Sequence, residues 1–176
     1  VAYGSPNFAA SSYAQCKGAR NVGYKATFGT MLASPEPLDF DNTECMVFFG
    51  SHLGENAHNS QVQEFVEAKA RGAKLIVLDP RFSTPAGRAD IWMQVAPGSD
   101  LAVILAWIHL FLKEDTYDKD FVARHCTGFD ALAAHVAEFT PEWAAGITDL
   151  SADQIRTTAR VMAEHNPRSV IMPGRH

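Results

Sequence analysis

Cysteine is scarce in this sequence, and no two cysteines form a Cys-x-x-Cys pair. The 176 residues contain three cysteines at widely separated positions: Cys16, Cys45 and Cys126. Zinc knuckles and iron–sulfur clusters take their ligands from closely spaced cysteines, so this segment alone predicts neither kind of site. Cys45 opens an apolar stretch and Cys126 ends a predicted helix. We therefore predict that both are small, buried, hydrophobic residues.

An excess of basic charge and a long hydrophobic run are also missing. The formal net charge is −5, which argues against the basic surface of nucleic-acid-binding proteins and predicts no nucleic-acid partner. The longest apolar run, residues 101–112, is interrupted by His109 and is too short to cross a bilayer. Hydrophobic residues still make up 47% of the chain, which is typical of a globular protein with a sizeable core.

Short apolar runs alternate with helical patterns and predict an α/β fold. Strands are predicted at residues 45–49, 75–78, 91–95 and 169–172. The strand–helix–strand pattern of residues 45–78 is a βαβ unit, which predicts parallel pairing with a right-handed crossover. This unit has no Gly-x-Gly-x-x-Gly fingerprint, so an ordinary NAD site is not predicted. We expect a Rossmann-like three-layer sandwich with a parallel sheet and a helical C-terminal part.

Local signals mark where the helices begin and end. A helix over residues 57–71 precedes Gly72, which suits a C-cap, and Ser99 or Asp100 caps the helix that follows the third strand. Thr140 before Pro141 is a typical helix start. Ser151-x-x-Gln154 is a capping box that opens a helix ending near residue 164.

The first 44 residues have the least regular pattern. We expect residues 1–44 to be an irregular segment, with a Pro-rich linker at residues 33–37, and residues 45–176 to be an α/β cofactor-binding domain. His52, His58 and Asn59 surround the loop after the first strand. They lack a matching carboxylate and histidine set at helical spacing, so we interpret them as hydrogen-bonding to loop backbone and not as metal ligands.

Polar loops follow the second and third predicted strands. Ligands of open parallel sheets bind outside the carboxyl ends of the strands, where Asp79-Pro80-Arg81 lies. The segment Pro97-Gly98-Ser99-Asp100 precedes a long apolar helix. Gly, Ser and Asp at a helix start offer backbone N–H groups and a carboxylate, which suits a nucleotide.

Cys16 lies in a different setting from the other two cysteines. The surrounding stretch is Ser-Ser-Tyr-Ala-Gln-Cys-Lys-Gly-Ala-Arg, and positive charge such as that of Lys17 and Arg20 favours the thiolate form. A thiolate is a nucleophile and a soft metal ligand. Free cysteines are often simply buried, so the local sequence leaves both a functional and a structural role open.

The order of these pieces resembles the molybdopterin oxidoreductases of the dimethyl sulfoxide reductase family. The matching text begins with Cys16 upstream of Thr27-Phe28-Gly29 and continues with FGSHLGEN and EAKARGAKLIVLDPRFSTPAGRAD. It goes on with PGSDLAVILAWIHLFLKEDTYDKDFV, TGFDAL, FTPEWAAGITDLSADQIRTTAR and PGRH. Each phrase is short, but their shared order extends over residues 1–176. The resemblance implies an internal part of a catalytic subunit, without its N-terminal iron–sulfur segment and C-terminal cofactor-capping domain.

The resemblance also implies a set of site residues. Cys16 occupies the position where the family has a Cys, selenocysteine, Ser or Asp as molybdenum ligand. Two departures concern individual cofactor contacts: Ser12 stands where some members have Asn, and the first loop lacks the frequent Gly-x-Asn-Pro. Three loops bind the guanine dinucleotide part of the cofactor, through Gly50, Ser51, His52, Gly54, Glu55, Asn56, Asp79, Pro80, Arg81, Gly98, Ser99 and Asp100.

The function implied by the resemblance is that of a molybdenum-dependent oxidoreductase with bis-molybdopterin guanine dinucleotide and a 4Fe–4S cluster in the N-terminal part of the subunit. The opening YGSPN and the closing PGRH are most like the polysulfide and thiosulfate reductase branch, which reduces a sulfur compound in anaerobic respiration. The implied partner is an iron–sulfur electron-transfer subunit, with or without a membrane anchor subunit, at a periplasmic or membrane-associated location. The alternatives are a nitrate reductase or formate dehydrogenase subunit, and a non-catalytic nucleotide-binding domain of the same fold.

Overall fold

The computed structural model describes Gly4 and residues 18–29, 38–51, 53–55 and 61–174. The strands are β1 (Cys45–Phe49), β2 (Lys74–Leu78), β3 (Ile91–Met93) and β4 (Ser169–Met172). The helices are α1 (Ala19–Phe28), α2 (Val62–Ala70), α3 (Asp100–Lys113), α4 (Lys119–His125), α5 (Phe129–Val136), α6 (Pro141–Thr148) and α7 (Ala152–Glu164), and a short 3-10 helix covers Ala86–Arg88.

The four strands form one parallel sheet in the order β3-β2-β1-β4. The register pairs Cys45 with Lys74 on one side of β1 and with Ser169 on the other, and Ile76 of β2 with Ile91 of β3. The predicted parallel α/β fold is therefore confirmed. The strand order reverses beside β1, because β2 and β3 lie on one side of it and β4 on the other.

The two faces of the sheet are covered by different helices, which gives the three expected layers. Alternate residues of a strand point to opposite faces, so Cys45 and Val47 enter one core cluster while Met46 and Phe48 enter the other. The first cluster is completed by buried residues of α3, α6 and α7, and the second by residues of α2 together with Phe40. Fully burying an apolar side chain of this size stabilises the fold by about 1.5–3 kcal/mol.

Two of the predicted helix starts have the expected side-chain caps. The Thr140 hydroxyl accepts from the Trp143 N–H at 3.2 Å. The Ser151 hydroxyl accepts from the Gln154 N–H at 3.1 Å, and the Gln154 side chain accepts from the Ser151 N–H at 3.0 Å. Ser99 takes the predicted N-cap position of α3, but its hydroxyl donates to the Ala96 carbonyl at 2.7 Å and does not accept from the first N–H groups of the helix.

Several details differ from the sequence-based predictions. β3 ends at Met93, because the Val95 N–H turns back to the Met93 carbonyl at 2.9 Å. The segment expected to be irregular contains α1, a helix of ten residues with no buried side chain. Cys126 is exposed, which contradicts its predicted burial. The linker at residues 33–37 and the predicted first turn of α2 lie outside the described residues.

Candidate functional site

The carboxyl ends of all four strands lie at one edge of the sheet, since every pair is parallel. The loop after β1 begins with Gly50, whose backbone adopts the left-handed φ of +50° and whose N–H donates to the Leu78 carbonyl of β2 at 2.8 Å. Ser51 is buried; its hydroxyl contacts the Met172 sulfur of β4 at 3.3 Å and accepts from the Leu53 N–H at 3.3 Å. The first loop is thereby attached to the strands on both sides of β1.

The loop after β2 is built around the buried carboxylate of Asp79. This side chain is 3% exposed, and its Oδ1 accepts from the Arg81 N–H at 2.8 Å. Both backbone polar groups of Asp79 form hydrogen bonds with β3. Its N–H donates to the Met93 carbonyl at 3.2 Å, and its carbonyl accepts from the Trp92 indole N–H at 2.9 Å. Pro80 and Arg81 are exposed beyond this anchored residue.

Glu55 joins the first two loops. One carboxylate oxygen accepts from the Thr84 N–H at 3.0 Å, and the other lies 3.5 Å from the guanidinium of Arg81. Gly54, the preceding residue, has a φ of +81°, which favours glycine. Two of the sequence-predicted loops are thus brought into direct contact by charged side chains.

The third predicted loop leads into α3. Gly98 has a φ of +83° and is exposed, Ser99 is buried, and Asp100 is the first helical residue. The first N–H groups of an α-helix have no partner within the helix and carry its positive dipole end. The Ala96 N–H donates to the Thr148 carbonyl at the end of α6 at 2.9 Å, so this loop is tied to the turn between α6 and α7.

The end of β4 also belongs to this edge, although the site prediction did not include it. A Cβ atom on Gly174 would lie 2.4 Å from the Phe49 carbonyl and 3.2 Å from the Gly50 carbonyl, so only glycine fits here without movement of the backbone. The signal in the sequence was the Pro-Gly pair directly after an apolar strand.

A groove at the carboxyl end of β3 was missed as well. This β3 groove has a volume of about 660 Å³ and is bounded by the β2 loop, the β3 loop and the turn between α6 and α7. Pro80, Pro97 and Gln154 belong to local motifs of the sequence, but no motif groups them with the rest of the wall, because these residues come together only in the folded chain. The residues of interest in its wall are Pro80, Trp92, Gln94, Pro97, Asp149 and Gln154.

Three predicted site residues, Cys16, His52 and Asn56, lie outside the described residues, as do His58 and Asn59. Within residues 18–29, 38–51, 53–55 and 61–174 there is no group of three or more His, Cys, Asp or Glu that could hold a metal ion. None of the described helices is long and apolar enough to cross a membrane.

The strands and loops define an open parallel α/β domain, with its polar loops at the carboxyl edge of the sheet, where such sheets bind ligands. The family model for molybdopterin oxidoreductase matches residues 2–176. The chain therefore belongs to the molybdopterin oxidoreductase family, as its resemblance to that family predicted.

Individual relatives support the same assignment. The thiosulfate reductase molybdopterin-containing subunit PhsA of Salmonella typhimurium is 39% identical over 175 residues, covering 99% of this chain and 22% of the relative. Formate dehydrogenase H of Escherichia coli is 35% identical over 150 residues, covering 85% of this chain and 21% of the relative. The solved structure of acetylene hydratase from Pelobacter acetylenicus matches with a TM-score of 0.82 and 35% identity, covering 96% of this chain and 22% of that one.

The chain thus spans about a fifth of the length of the relatives it matches. Membership of the family implies molybdenum held by a pterin cofactor.

Proposed function

We propose that the chain is the part of a molybdenum-dependent oxidoreductase catalytic subunit that binds one guanine dinucleotide arm of bis-molybdopterin guanine dinucleotide. The observation that carries this proposal is the meeting of three polar loops at the carboxyl edge of the sheet, in a chain of the molybdopterin oxidoreductase family. Open parallel sheets bind their ligands at this edge and at the reversal of strand order.

The residues of the edge fit a dinucleotide in their chemistry. The Ser83 hydroxyl in the β2 loop is buried and has no hydrogen-bond partner among the residues that the structure describes, so a polar atom of a ligand would satisfy it. Gly174 leaves no room for a side chain beside the end of β1, as expected where backbone segments pack closely around a ligand. The buried Asp79 carboxylate suits a ribose hydroxyl, and the start of α3 offers N–H groups that suit a pyrophosphate.

When bound, the cofactor supplies the two-electron or oxygen-atom chemistry. The residues of this chain bind and orient it. Glu55 links the first two loops through its contacts with Arg81 and the Thr84 N–H. The proposal includes the first-loop positions His52 and Asn56 on the strength of the family resemblance.

Cys16 is proposed as the protein ligand of molybdenum. The support is its match to the ligand position of the family, the basic neighbours Lys17 and Arg20, and the softness of a thiolate donor. Cys45 is fully buried among strand residues and Cys126 lies between α4 and α5 on the surface, so neither has the setting of Cys16.

The proposed substrate is a sulfur compound such as polysulfide or thiosulfate, reduced in anaerobic respiration. It rests on the 39% identity to a thiosulfate reductase subunit. The complete subunit would also carry a 4Fe–4S cluster, receive electrons from an iron–sulfur subunit, with or without a membrane anchor subunit, and act at a periplasmic or membrane-associated location. Formate oxidation is the second candidate, because formate dehydrogenase H is 35% identical.

Asp100→Ala in the full-length subunit tests the binding role of the third loop. We expect less molybdenum and less guanine nucleotide in the purified protein, since a carboxylate at the start of α3 is lost. Asp130→Ala is the matched control, because Asp130 also lies in the first turn of a helix, α5, and is exposed. Equal cofactor content in the wild type and Asp100→Ala would contradict this role.

A substrate panel with a viologen dye on the full-length subunit tests the reaction. Reduction of thiosulfate or polysulfide supports the proposal, and formate oxidation supports the second candidate. Nitrate reduction would instead identify a nitrate reductase subunit. A subunit that contains no molybdenum would identify a non-catalytic nucleotide-binding domain.

A further inference from the structure

Helix α3 is apolar on its outward side as well as on the side that packs against the domain. Its buried residues are Ala102, Val103, Ala106, Trp107, His109 and Leu110. On the opposite side, aliphatic residues recur at intervals of three and four and therefore lie in one stripe along the helix. This outer stripe consists of Leu101, Ile104, Leu105, Ile108 and Leu112. A surface helix normally has charged and polar side chains there, whereas a helix that is apolar all round is buried in the core of a larger protein.

The outer stripe is accessible on the surface of the domain. Leu101 is 65% exposed and Ile104 is 36% exposed, and the other three residues are half-buried. At a rise of 1.5 Å per residue the stripe is about 17 Å long. The two helices that pack against α3 add exposed aliphatic residues of their own, Leu132 on α5 and Ile147 on α6. An apolar surface of this kind on the outside of a domain marks an interaction site.

The residue types of the outer stripe indicate the kind of contact that it makes. Reversible protein interfaces are enriched in Tyr, Trp, Arg and Met and are surrounded by a polar rim. Helices that lie on a membrane surface are rich in Lys and Arg, whereas the charged residues of α3 are Asp100 and Lys113, one at each end. The stripe contains only Leu and Ile, which are typical of protein cores and of permanent interfaces.

We propose that the outer stripe is a permanent interface inside the full-length subunit, covered by an apolar segment from the remainder of the same polypeptide. The length of that remainder supports this occupant, because the chain covers only 22% of the relative PhsA. The stripe begins one residue after Asp100 of the third loop, so the covering segment reaches the carboxyl edge of the sheet. The inference concerns the assembly of the subunit and is independent of the proposed substrate.

Hydroxyl-radical footprinting of the wild-type full-length subunit tests the proposal without any substitution. The subunit is purified without partner subunits and labelled at a concentration at which light scattering shows a monomer. Leu101 and Leu110 are a matched pair, because they are the same residue type in the same helix and are 65% and 5% exposed in this domain. A covered stripe predicts equal oxidation of the two residues. A free stripe predicts that Leu101 is oxidised about thirteen times faster, in the ratio of those exposed fractions.

A charge introduced into the stripe tests how tightly it is packed. Ile104→Glu should lower the melting temperature of the monomeric full-length subunit by several degrees, because it places a carboxylate in an apolar contact. Ile104→Leu keeps the aliphatic character and should melt close to the wild type. Thr157→Glu is the matched control, since Thr157 is exposed in the middle of α7, and it should also melt like the wild type.

The outcomes distinguish the possible occupants of the stripe. Protection of Leu101 in the monomeric subunit, together with destabilisation by Ile104→Glu, is the expected result. Protection that develops only when the subunit dimerises identifies a second copy, and protection that requires an added iron–sulfur subunit identifies that partner; either result overturns the proposal. Rapid oxidation of Leu101 in every preparation, or a wild-type melting temperature for Ile104→Glu, overturns it as well.

Discussion

At the scale of single residues, burial decides how reactive the thiol of Cys45 is. Cys45 is fully buried, and burial raises the pKa of its thiol to about 11. At pH 8 only about one thiol in a thousand would then be ionised, and the thiolate is the reactive form. We expect no alkylation of Cys45 by iodoacetamide in the folded protein at pH 8, as read by mass spectrometry. Prior unfolding in urea should expose it, and rapid labelling of the native protein would show that β1 opens readily.

The residue-level prediction with the largest expected effect on activity concerns Cys16. Cys16→Ala in the full-length subunit should abolish turnover and lower the number of sulfur ligands seen by X-ray absorption at molybdenum. Cys16→Ser should retain a part of the activity, because an alkoxide is a harder but competent donor. Cys126→Ala is the control: the thiol is exposed, so neither activity nor spectrum should change. An equal sulfur count in the wild type and Cys16→Ala would refute ligation.

The sequence predicts whether a residue is buried when its neighbours along the chain determine its environment. The buried environment of Cys45 followed from the apolar strand around it. The exposure of Cys126 did not follow, because it depends on how far α4 stands from the core, and α4 has no buried residue. The place of Asp149 in the wall of the β3 groove did not follow either, because it depends on β3 residues more than 50 positions earlier in the chain.

At the scale of elements, the close contact between the end of β4 and the end of β1 predicts that Gly174 does not tolerate a larger side chain. Gly174→Ala would place a Cβ 2.4 Å from the Phe49 carbonyl, so the β1 loop or the end of β4 must move. We expect a lower cofactor content and a lower melting temperature of the full-length subunit. Gly146→Ala is the control, because it is a helical glycine of α6 with open space around its Cβ position and an ordinary φ. Helix propensity should make that variant about 1 kcal/mol more stable.

The capping box of α7 can be tested by hydrogen exchange. Ser151→Ala removes the acceptor for the Gln154 N–H, and the loss of such a cap costs about 1 kcal/mol. The amides of the first turn of α7 should therefore exchange about fivefold faster in the full-length subunit. Thr157→Ala deletes a hydroxyl from an exposed position in the middle of the same helix and should leave those amides unchanged. Equal exchange in both variants would mean that tertiary contacts hold the helix start.

Elements with strong local signals were predicted closely. β1 and β4 have the predicted bounds, and α6 and α7 begin where their caps indicated. β3 was predicted two residues too long because Val95 is apolar and buried, although its backbone has already turned. α1 was not predicted, since its sequence has no apolar stripe to bury and its side chains are not buried.

At the scale of the whole molecule, the chain spans about a fifth of the length of its relatives. We expect the isolated chain to show no turnover in a viologen assay with thiosulfate, polysulfide or formate, even when its circular dichroism shows a folded α/β protein. The full-length subunit, prepared in parallel, is the positive control. Turnover by the isolated chain would show that the remaining domains are dispensable for enclosing the cofactor.

The location of the predicted loops at one edge could be derived from the sequence, because parallel strands bring their carboxyl ends together. The contacts between the loops could not. The Glu55 carboxylate reaches both Arg81 and Thr84, and the choice of these partners depends on the lengths and turns of two separate loops. The β3 groove depends on the packing of α6 and α7 against the sheet, which periodicity alone does not specify.

The order of the strands has a consequence for synthesis on the ribosome. β1 pairs with β2 soon after both emerge, but its other edge pairs with β4, whose first residue, Ser169, follows its partner Cys45 by 124 positions. At ordinary elongation rates this edge stays open for roughly 6–25 s. Five apolar residues with an unpaired edge invite association between nascent chains. Slow codons placed within residues 50–168 should therefore lower the soluble yield, whereas the same codons placed before residue 45 should not.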